Sequence, residues 1–186
     1  MIPQPPGFFG KLPARGDFLA RRIPPGFSGP WDEWLGMLTV AVREAAGAAW
    51  PNAWLTAPLW HFALGAAIAP GGVAGVLVAS TDRVGRMFPF TILGPSGGVP
   101  EEGWSSTAEA LALAALDDYF DPDTLDQALL RLGAPVEPTV LAPGQSLWWT
   151  RGSDLVEPTR RLVQGLPGRE AAVAMVLGGA SPLLVV

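Results

Sequence analysis

The sequence predicts an α+β fold in which helices cover both faces of a predominantly antiparallel sheet. Three consecutive segments, Leu59 to Ala66, Val73 to Ser80 and Arg86 to Leu93, are rich in β-branched or aromatic residues and are bounded by Gly or Pro. Consecutive strands favour an antiparallel sheet over a doubly wound parallel one. The run from Val73 to Ala79 is apolar at successive positions, which is typical of a strand buried on both faces. We therefore expect a three-layer arrangement.

The amino-terminal segment predicts a short strand followed by a constrained turn. Phe8 to Leu12 is a brief apolar run closed by Pro13, and the charged residues Arg15 and Asp17 follow it around Gly16. The segment from Pro24 to Pro30 is predicted to be a loop.

The first helix is predicted at about residues 31–48. Pro30 suits the first helical position, and Asp32 and Glu33 would lie where the helix dipole favours carboxylates. Helical spacing relates the apolar residues of this segment, which are Trp31, Trp34, Leu35, Leu38 and Val42.

Two further helices are predicted after the strands. Ser106 and Glu109 have capping-box spacing. One apolar stripe continues from there through Ala108, Leu111, Ala112, Ala115, Leu116 and Tyr119. Asp121 and Pro122 predict the start of the next helix, which Gly133 would end.

The remaining chain is predicted to hold a Pro-rich linker, a strand and a short helix. The linker runs from Ala134 to Gly144 and the strand from Leu147 to Thr150, whereas Gly168 to Leu177 suits a helix better than a strand. This order of elements is similar to the longin or SNARE-like arrangement, an analogy that carries no function by itself.

Composition excludes several classes of function. The net charge is -5 and Lys11 is the sole lysine, which argues against nucleic-acid binding. The absence of Cys rules out disulfides and thiolate metal sites. The start of the sequence lacks the features of a secretory signal, and its apolar segments are too short to span a membrane. We expect a cytoplasmic protein that requires neither metal nor cofactor.

Several candidate chemical motifs have simpler explanations. His61 is the single histidine and is more readily explained as a structural residue. Ser146 lies in a segment similar to a nucleophile elbow, but Trp148 occupies the position of the closing glycine. The Gly-rich segments lack a full nucleotide-binding fingerprint. Helix capping explains much of an acidic cluster that comprises Asp117, Asp118, Asp121, Asp123 and Asp126.

Two charged turns are the strongest candidates for a functional site. The first contains Arg15 and Asp17, and the second contains Asp82, Arg83 and Arg86 between two apolar strands. Arginine pairs in bidentate fashion with carboxylates or phosphates, so these residues either lock the loops internally or recognise a partner. We expect all five to gather at one end of the sheet.

The adjacent residues Trp148 and Trp149 are candidates for an interface anchor. If they lie in a strand, their side chains point to opposite faces of the sheet. At least one of the two indoles is then expected to be partly exposed, as suits an anchor residue at a protein interface.

Four segments of the chain together resemble TagF-type proteins, which are associated with type VI secretion. GFFGKLPARGDF at residues 7–18 resembles the opening of that family, and STDRVGRMFPF at 80–90 resembles its second signature. WDEWL at 31–35 is similar to the start of the family's first helix, and SLWW at 146–149 to its late motif. The resemblance covers about residues 7–150, so we expect one TagF-like domain over residues 1–186, with an extension at 151–186.

The resemblance implies a cytoplasmic, non-catalytic repressor that acts after translation on assembly of the secretion apparatus. A scaffold protein with a forkhead-associated domain is the implied partner, with no nucleic acid and no membrane insertion. The alternative is a small hydrolase or phosphatase-like enzyme that uses Asp17 or Asp82, which requires an open carboxylate in a cleft. A carrier of lipid or small molecules would instead require a large apolar pocket.

Overall fold

The computed structural model describes residues 4–136, 139–179 and 184–185, and these form an eight-stranded antiparallel sheet, a two-stranded sheet and five α-helices. The strands are β1 Gly7–Gly10, β2 Leu19–Arg21, β3 Trp60–Leu64, β4 Val73–Val78, β5 Phe90–Pro95, β6 Gly98–Val99, β7 Thr139–Val140, β8 Gln145–Thr150, β9 Thr159–Gln164 and β10 Leu184–Val185. The helices are α1 Ser28–Ala46, α2 Trp50–Leu55, α3 Glu102–Ala114, α4 Pro122–Leu132 and α5 Arg169–Leu177. The predicted α+β class is confirmed.

Strand β4 lies within the large sheet, whose strand order is β10-β9-β8-β3-β4-β5-β1-β2. All six of its residues are buried. Val73 and Leu77 belong to one apolar cluster, whereas Val76 and Val78 belong to another. Because alternate side chains of a strand point to opposite faces, the two clusters lie on opposite faces of the sheet. The predicted two-sided burial of this segment is therefore confirmed.

Helices α1 and α5 pack on the face that carries Val73 and Leu77, around stacked aromatic rings. The Trp31 ring lies 5.1 Å from that of Trp34 and 5.0 Å from that of Phe62, measured between centroids. The Trp31 indole N–H donates to Thr91 Oγ1 at 3.2 Å, and this hydroxyl donates to the Phe9 carbonyl. The hydrogen bond satisfies the buried indole and ties α1 to β5 and β1.

Helices α3 and α4 supply the apolar cluster on the other face. Ala108 and Ala112 of α3 pack against Val76 and Ile92, and Leu125 and Leu129 of α4 complete that cluster. Small alanine side chains let α3 approach β4 closely, and this cluster contains fewer aromatic residues than the first. None of the helices in the described part of the chain is both long and apolar enough to cross a bilayer.

The beginnings of two helices differ from the sequence prediction. Helix α1 starts at Ser28, so Pro30 is its third residue, and its first turn contains no acidic residue. Helix α3 starts at Glu102, so Ser106 lies inside it and the predicted capping box is wrong. The tertiary contacts of Phe27 and Trp104 extend both helices beyond their local start signals.

The predicted stripe of the second helix also extends too far. Helix α3 ends at Ala114, and Tyr119 beyond it is 95% exposed. The third helix was predicted correctly at both ends: Asp121 caps α4 by accepting from the Asp123 N–H, and Gly133 ends it with a φ of 72°. A positive φ at this position is accessible to glycine without steric strain.

Five structural features were not predicted from the sequence: β2, α2, the β6–β7 pair, β9 and β10. These elements are short or partly exposed, so their periodicity is weak. Strand β5 begins at Phe90 and not at Arg86, because the intervening residues belong to the charged turn. Residues 137 and 138 of the predicted linker lie outside the described residues.

The segment after Thr150 takes part in the same sheet and core. Strand β9 pairs with β8 along six register positions, and α5 packs Met175 and Val176 into the aromatic cluster. The helix favoured for Gly168 to Leu177 is confirmed as α5. The similarity of this element order to the longin or SNARE-like arrangement stays a prediction.

Replacing Trp31 by Ala should destabilise the protein by about 3 to 5 kcal/mol, because it opens a cavity within the aromatic cluster and leaves Thr91 without its donor. Urea unfolding followed by far-UV circular dichroism measures the change. The control Leu55→Ala, on the exposed part of α2, should cost less than about 0.5 kcal/mol. Equal losses in the two variants would contradict the central role of Trp31.

Candidate functional site

The two charged turns follow β1 and β4, and hydrogen bonds join them. The Arg83 backbone N–H donates to the Arg15 carbonyl at 2.9 Å, and Arg86 Nη2 donates to the Gly16 carbonyl at 2.9 Å. The expected gathering of the two turns is therefore seen, with all five charged candidates in or beside this contact. They differ sharply in burial, which separates their chemical roles.

Asp82 is the buried member of the site, with 2% of its surface exposed. Its Oδ1 accepts the backbone N–H groups of Val84 at 3.1 Å and Arg86 at 2.9 Å. Its Oδ2 accepts Lys11 Nζ at 3.1 Å and Arg86 Nε at 2.6 Å. Both carboxylate oxygens are thus bonded twice, and the cations on each side neutralise the buried charge.

These contacts determine the ionisation of Asp82. Burial by itself raises the pKa of the carboxyl group, but the hydrogen bonds from Arg86, Lys11 and Val84 outweigh burial and hold the pKa well below its usual range. Asp82 is therefore ionised at neutral pH. A carboxylate with such a low pKa and four bound donors is a poor proton acceptor.

Ser80 and Trp54 connect the second turn to the rest of the fold through hydrogen bonds. Ser80 Oγ donates to the Lys11 carbonyl at 2.7 Å, and the Ser80 carbonyl accepts the indole N–H of Trp54 at 2.9 Å. Both contacts are buried or partly buried. The turn is thereby anchored to the segment after β1 and to α2, and Lys11 is held where its ammonium group reaches Asp82.

The outer residues of the turns face solvent. Arg15 pairs with Asp121 of the α4 cap at 3.3 Å, an exposed contact. Within the described part of the chain, the side chains of Asp17 and Arg83 have no hydrogen-bonding or ionic partner. Val84 is 72% exposed and Phe18 is 42% exposed. The tips of both turns therefore combine free charge with exposed apolar surface.

Trp148 and Trp149 point to opposite faces of β8, as predicted. Trp148 is fully buried within the aromatic cluster, and its indole N–H donates to Ser146 Oγ at 2.9 Å. Trp149 is partly exposed and stacks on His61, with ring centroids 5.2 Å apart. Trp148 is thus a core residue, and Trp149 alone of the two reaches the surface.

His61 has a polar environment that sequence reasoning missed. Its Nε2 lies 2.8 Å from Glu109 Oε2 of α3, while its buried Nδ1 has no partner among the described residues. Burial lowers the pKa of the imidazole although Glu109 opposes this effect, so His61 is neutral at pH 7. Because 48 residues separate this pair, no local pattern reveals it.

The described residues contain no group of three or more His, Asp and Glu side chains arranged to hold a metal ion. The acidic cluster after α3 is instead partly paired with arginines. Asp126 lies 2.6 Å from Arg22 Nη1, and Asp123 lies 2.5 Å from Arg21 Nη2.

Replacing Asp82 by Asn should destabilise the fold by about 3 kcal/mol or more, because Lys11 and Arg86 lose the buried charge that they share. The matched control is Asp17→Asn, at an exposed carboxylate without a described partner, which should change stability by less than about 0.5 kcal/mol. Denaturant unfolding at pH 7 measures both. An Asp82→Asn variant as stable as the wild type would contradict the locking role.

Lowering the pH should remove the stabilisation that Asp82 contributes to the folded state. Its pKa is depressed in the folded state relative to about 3.9 in the unfolded chain, so its stabilisation is complete above about pH 5 and declines as the pH falls towards the folded pKa. The Asp82→Asn variant should therefore lose less stability than the wild type between about pH 5 and pH 2. Parallel pH profiles of the two proteins would contradict this assignment.

The chain is similar to known proteins both in sequence and in structure. Residues 7–132 match the model of the TagF N-terminal domain, described as type VI secretion system-associated. The crystal structure of PA0076 from Pseudomonas aeruginosa PAO1 is similar, with a TM-score of 0.84 and 32% identity over 95% of this chain and 96% of that chain. No curated protein sequence matches the chain. The chain therefore belongs to the type VI secretion system-associated family that the TagF N-terminal domain defines.

Proposed function

We propose that the protein is a non-catalytic repressor of type VI secretion that acts after translation by binding a cytoplasmic component of the apparatus. The component implied by the family resemblance is a scaffold protein with a forkhead-associated domain. The observation that carries the proposal is the contrast within the charged turns: Asp82 is held by four hydrogen bonds, while Asp17 and Arg83 are exposed at the tips and have no partner among the described residues.

The carboxylate geometry supports binding over catalysis. The enzyme alternative requires Asp17 or Asp82 to be open in a cleft. Asp82 is instead buried and bound by four donors. Asp17 is exposed, and no described His, Lys or second carboxylate is bonded to it as a catalytic partner.

The core geometry gives little support to a carrier of apolar ligands. The apolar cavity beside α5, between Trp54, Trp60 and Met175, holds only about 10 Å³. A single water molecule needs about that much space, and a lipid chain needs far more.

The binding surface that we propose, here called the turn surface, consists of Arg15, Asp17, Phe18, Arg83 and Val84. The Phe18 ring is held edge-on between those of Phe9 and Phe88, each at 4.9 Å. A shallow depression of about 350 Å³ adjoins it, lined in part by Ser28, Gly29 and Asp32.

The turn surface suits a protein partner for two physical reasons. Aromatic and Arg side chains are enriched among residues that dominate protein interfaces, and both occur here. The turns are also rigid, because Asp82 and the Arg83–Arg15 backbone contact hold them, so binding requires little ordering of the surface.

Replacing Arg83 by Ala should weaken binding to the scaffold protein about 5- to 30-fold, as expected for an arginine anchor. The melting temperature of the Arg83→Ala variant should stay within about 2 °C of that of the wild type, since no carboxylate is left unpaired inside the fold. The matched control is Arg131→Ala, an exposed arginine on α4. Calorimetric titration of the purified pair measures affinity, and effector release from cells that overproduce each variant measures repression.

Pulldown from the native cytoplasm tests the function itself. Wild-type protein should recover a secretion component, and the Arg83→Ala variant should recover less of it. If Trp149→Ala abolishes recovery while Arg83→Ala does not, the anchor lies on β8 and the turn surface is wrong. Recovery of no secretion component, together with unchanged effector release on deletion or overproduction, refutes the functional proposal.

A further inference from the structure

A second polar site lies between the amino-terminal end of α3 and strands β3, β8 and β9. It is a partly open cavity of about 270 Å³. The helix side is formed by Glu102, Ser105 and Ser106, together with the preceding Val99 and Pro100. The sheet side and its rim are formed by His61, Trp149, Thr150, Arg151 and Arg160. None of these residues belongs to the turn surface.

The strand register places three of the lining residues in one row. His61 pairs with Trp149, and Trp149 pairs with Arg160 on the next strand. Register partners in adjacent strands project to the same face of the sheet, which here is the face that α3 covers. Trp149 stacks nearly parallel on His61, with an interplanar angle of 10°. The stacked rings of His61 and Trp149 therefore form one wall of the cavity, and Arg160 places a positive charge at the end of this wall.

Two arginines bring positive charge to the cavity. Arg160 has no ionic partner among the described residues. Arg151 Nη1 lies 3.7 Å from Glu109 Oε1, beyond hydrogen-bonding distance, while Glu109 Oε2 is engaged by His61. Glu109 therefore leaves most of the guanidinium donors unused. A guanidinium group with unused N–H donors can bind a planar or tetrahedral oxyanion.

Ser105 gives a second, independent indication of a ligand. The residue is 6% exposed and lines the cavity, yet its hydroxyl has no hydrogen-bonding partner in the described part of the chain. The Oγ atom itself is not fully buried, so it is open to the cavity and can donate a hydrogen bond to a polar group there. Ser105 lies in the first turns of α3, where Glu101 provides no side-chain cap for the free backbone N–H groups.

Among the described residues, Glu102 is the one carboxylate that lines the cavity, and it lies in the first turn of α3. Its side chain is exposed, so water screens much of its charge. Its effect is to weaken anion binding without preventing it. The same residue supplies a sensitive test, since its neutralisation changes affinity in the direction opposite to the loss of an arginine.

We propose that this cavity binds a phosphate group through Arg160, Arg151, Ser105 and the amino-terminal end of α3. The donors approach from the sheet and from the helix, and a tetrahedral anion with several acceptor oxygens uses them better than a two-oxygen carboxylate does. The volume is below the about 300 Å³ that is usual for small-molecule pockets, which suits one compact group. A free phosphate ion and a phosphorylated side chain share this chemistry.

Phosphate binding can be tested by ¹H–¹⁵N NMR of the full chain titrated with inorganic phosphate, with sodium chloride at matched ionic strength as the reference. The reporter is the Trp149 indole N–H, assigned with a Trp149→Phe variant. Phosphate should shift this resonance saturably, and chloride should not. Arg160→Gln should weaken the affinity about tenfold or more, as expected for loss of a charged hydrogen bond.

Three further variants make the result decisive. Ser105→Ala should weaken binding, Glu102→Gln should tighten it, and the control Arg131→Gln should leave it unchanged. A gain of affinity in Glu102→Gln cannot arise from misfolding, so it supports the site even if Arg160→Gln folds poorly. A linear shift equal to that in chloride, or equal affinities of Glu102→Gln, Arg160→Gln and Arg131→Gln, would overturn the proposal.

The source of the phosphate is decided by a second titration with a short phosphoserine peptide and its unphosphorylated form. Tighter binding of the phosphopeptide than of inorganic phosphate indicates a phosphorylated side chain, and weaker binding indicates the free ion. Equal binding of the phosphorylated and unphosphorylated peptides, with no response to inorganic phosphate, contradicts both sources. Effector release is not read in these experiments, so their outcome is independent of the proposed repression.

Discussion

A charge buried away from water must be compensated within the protein, and this requirement at Asp82 organises one end of the molecule. The carboxylate binds Lys11 from the segment after β1 and Arg86 from its own turn, together with two backbone N–H groups. Arg86 also reaches the carbonyl of Gly16. One side chain therefore specifies the shape of its own turn and the position of the turn beside it.

The turns can be held this way because the sheet beneath them is packed on both faces. The side chains of β4 are buried on both faces of the sheet. The aromatic cluster of α1 and α5 covers one face, and the alanine-rich packing of α3 covers the other. Hydrogen bonds from Trp31 to Thr91 and from Trp54 to Ser80 connect helices to strands within this packing. Such connections restrict motion of the strand ends that carry the turns.

The molecule presents two polar regions of different character. The turn surface combines free charges of both signs with exposed apolar groups, as suits a protein partner. The cavity beside α3 offers arginine and serine donors around a small volume, as suits a compact anion. Membership of the type VI secretion system-associated family accords with the proposed binding of a secretion component through the first region, and the proposed phosphate site is separate from it.

Local patterns in the sequence were sufficient to determine the α+β class, the buried strand β4, the caps of α4 and the two charged turns, because each depends on residues close together in the chain. The start and end of α3 and the strands β2 and β9 depended on packing and pairing with distant residues, so local signals misplaced or missed them. Tyr119, placed by its spacing on the apolar stripe, lies beyond α3 and is exposed. The same holds for the site. The sequence determined which residues carry charge, but only the tertiary structure separated the buried Asp82 from the free Arg83 and brought Glu109 to His61, because burial and long-range pairing are properties of the assembled fold.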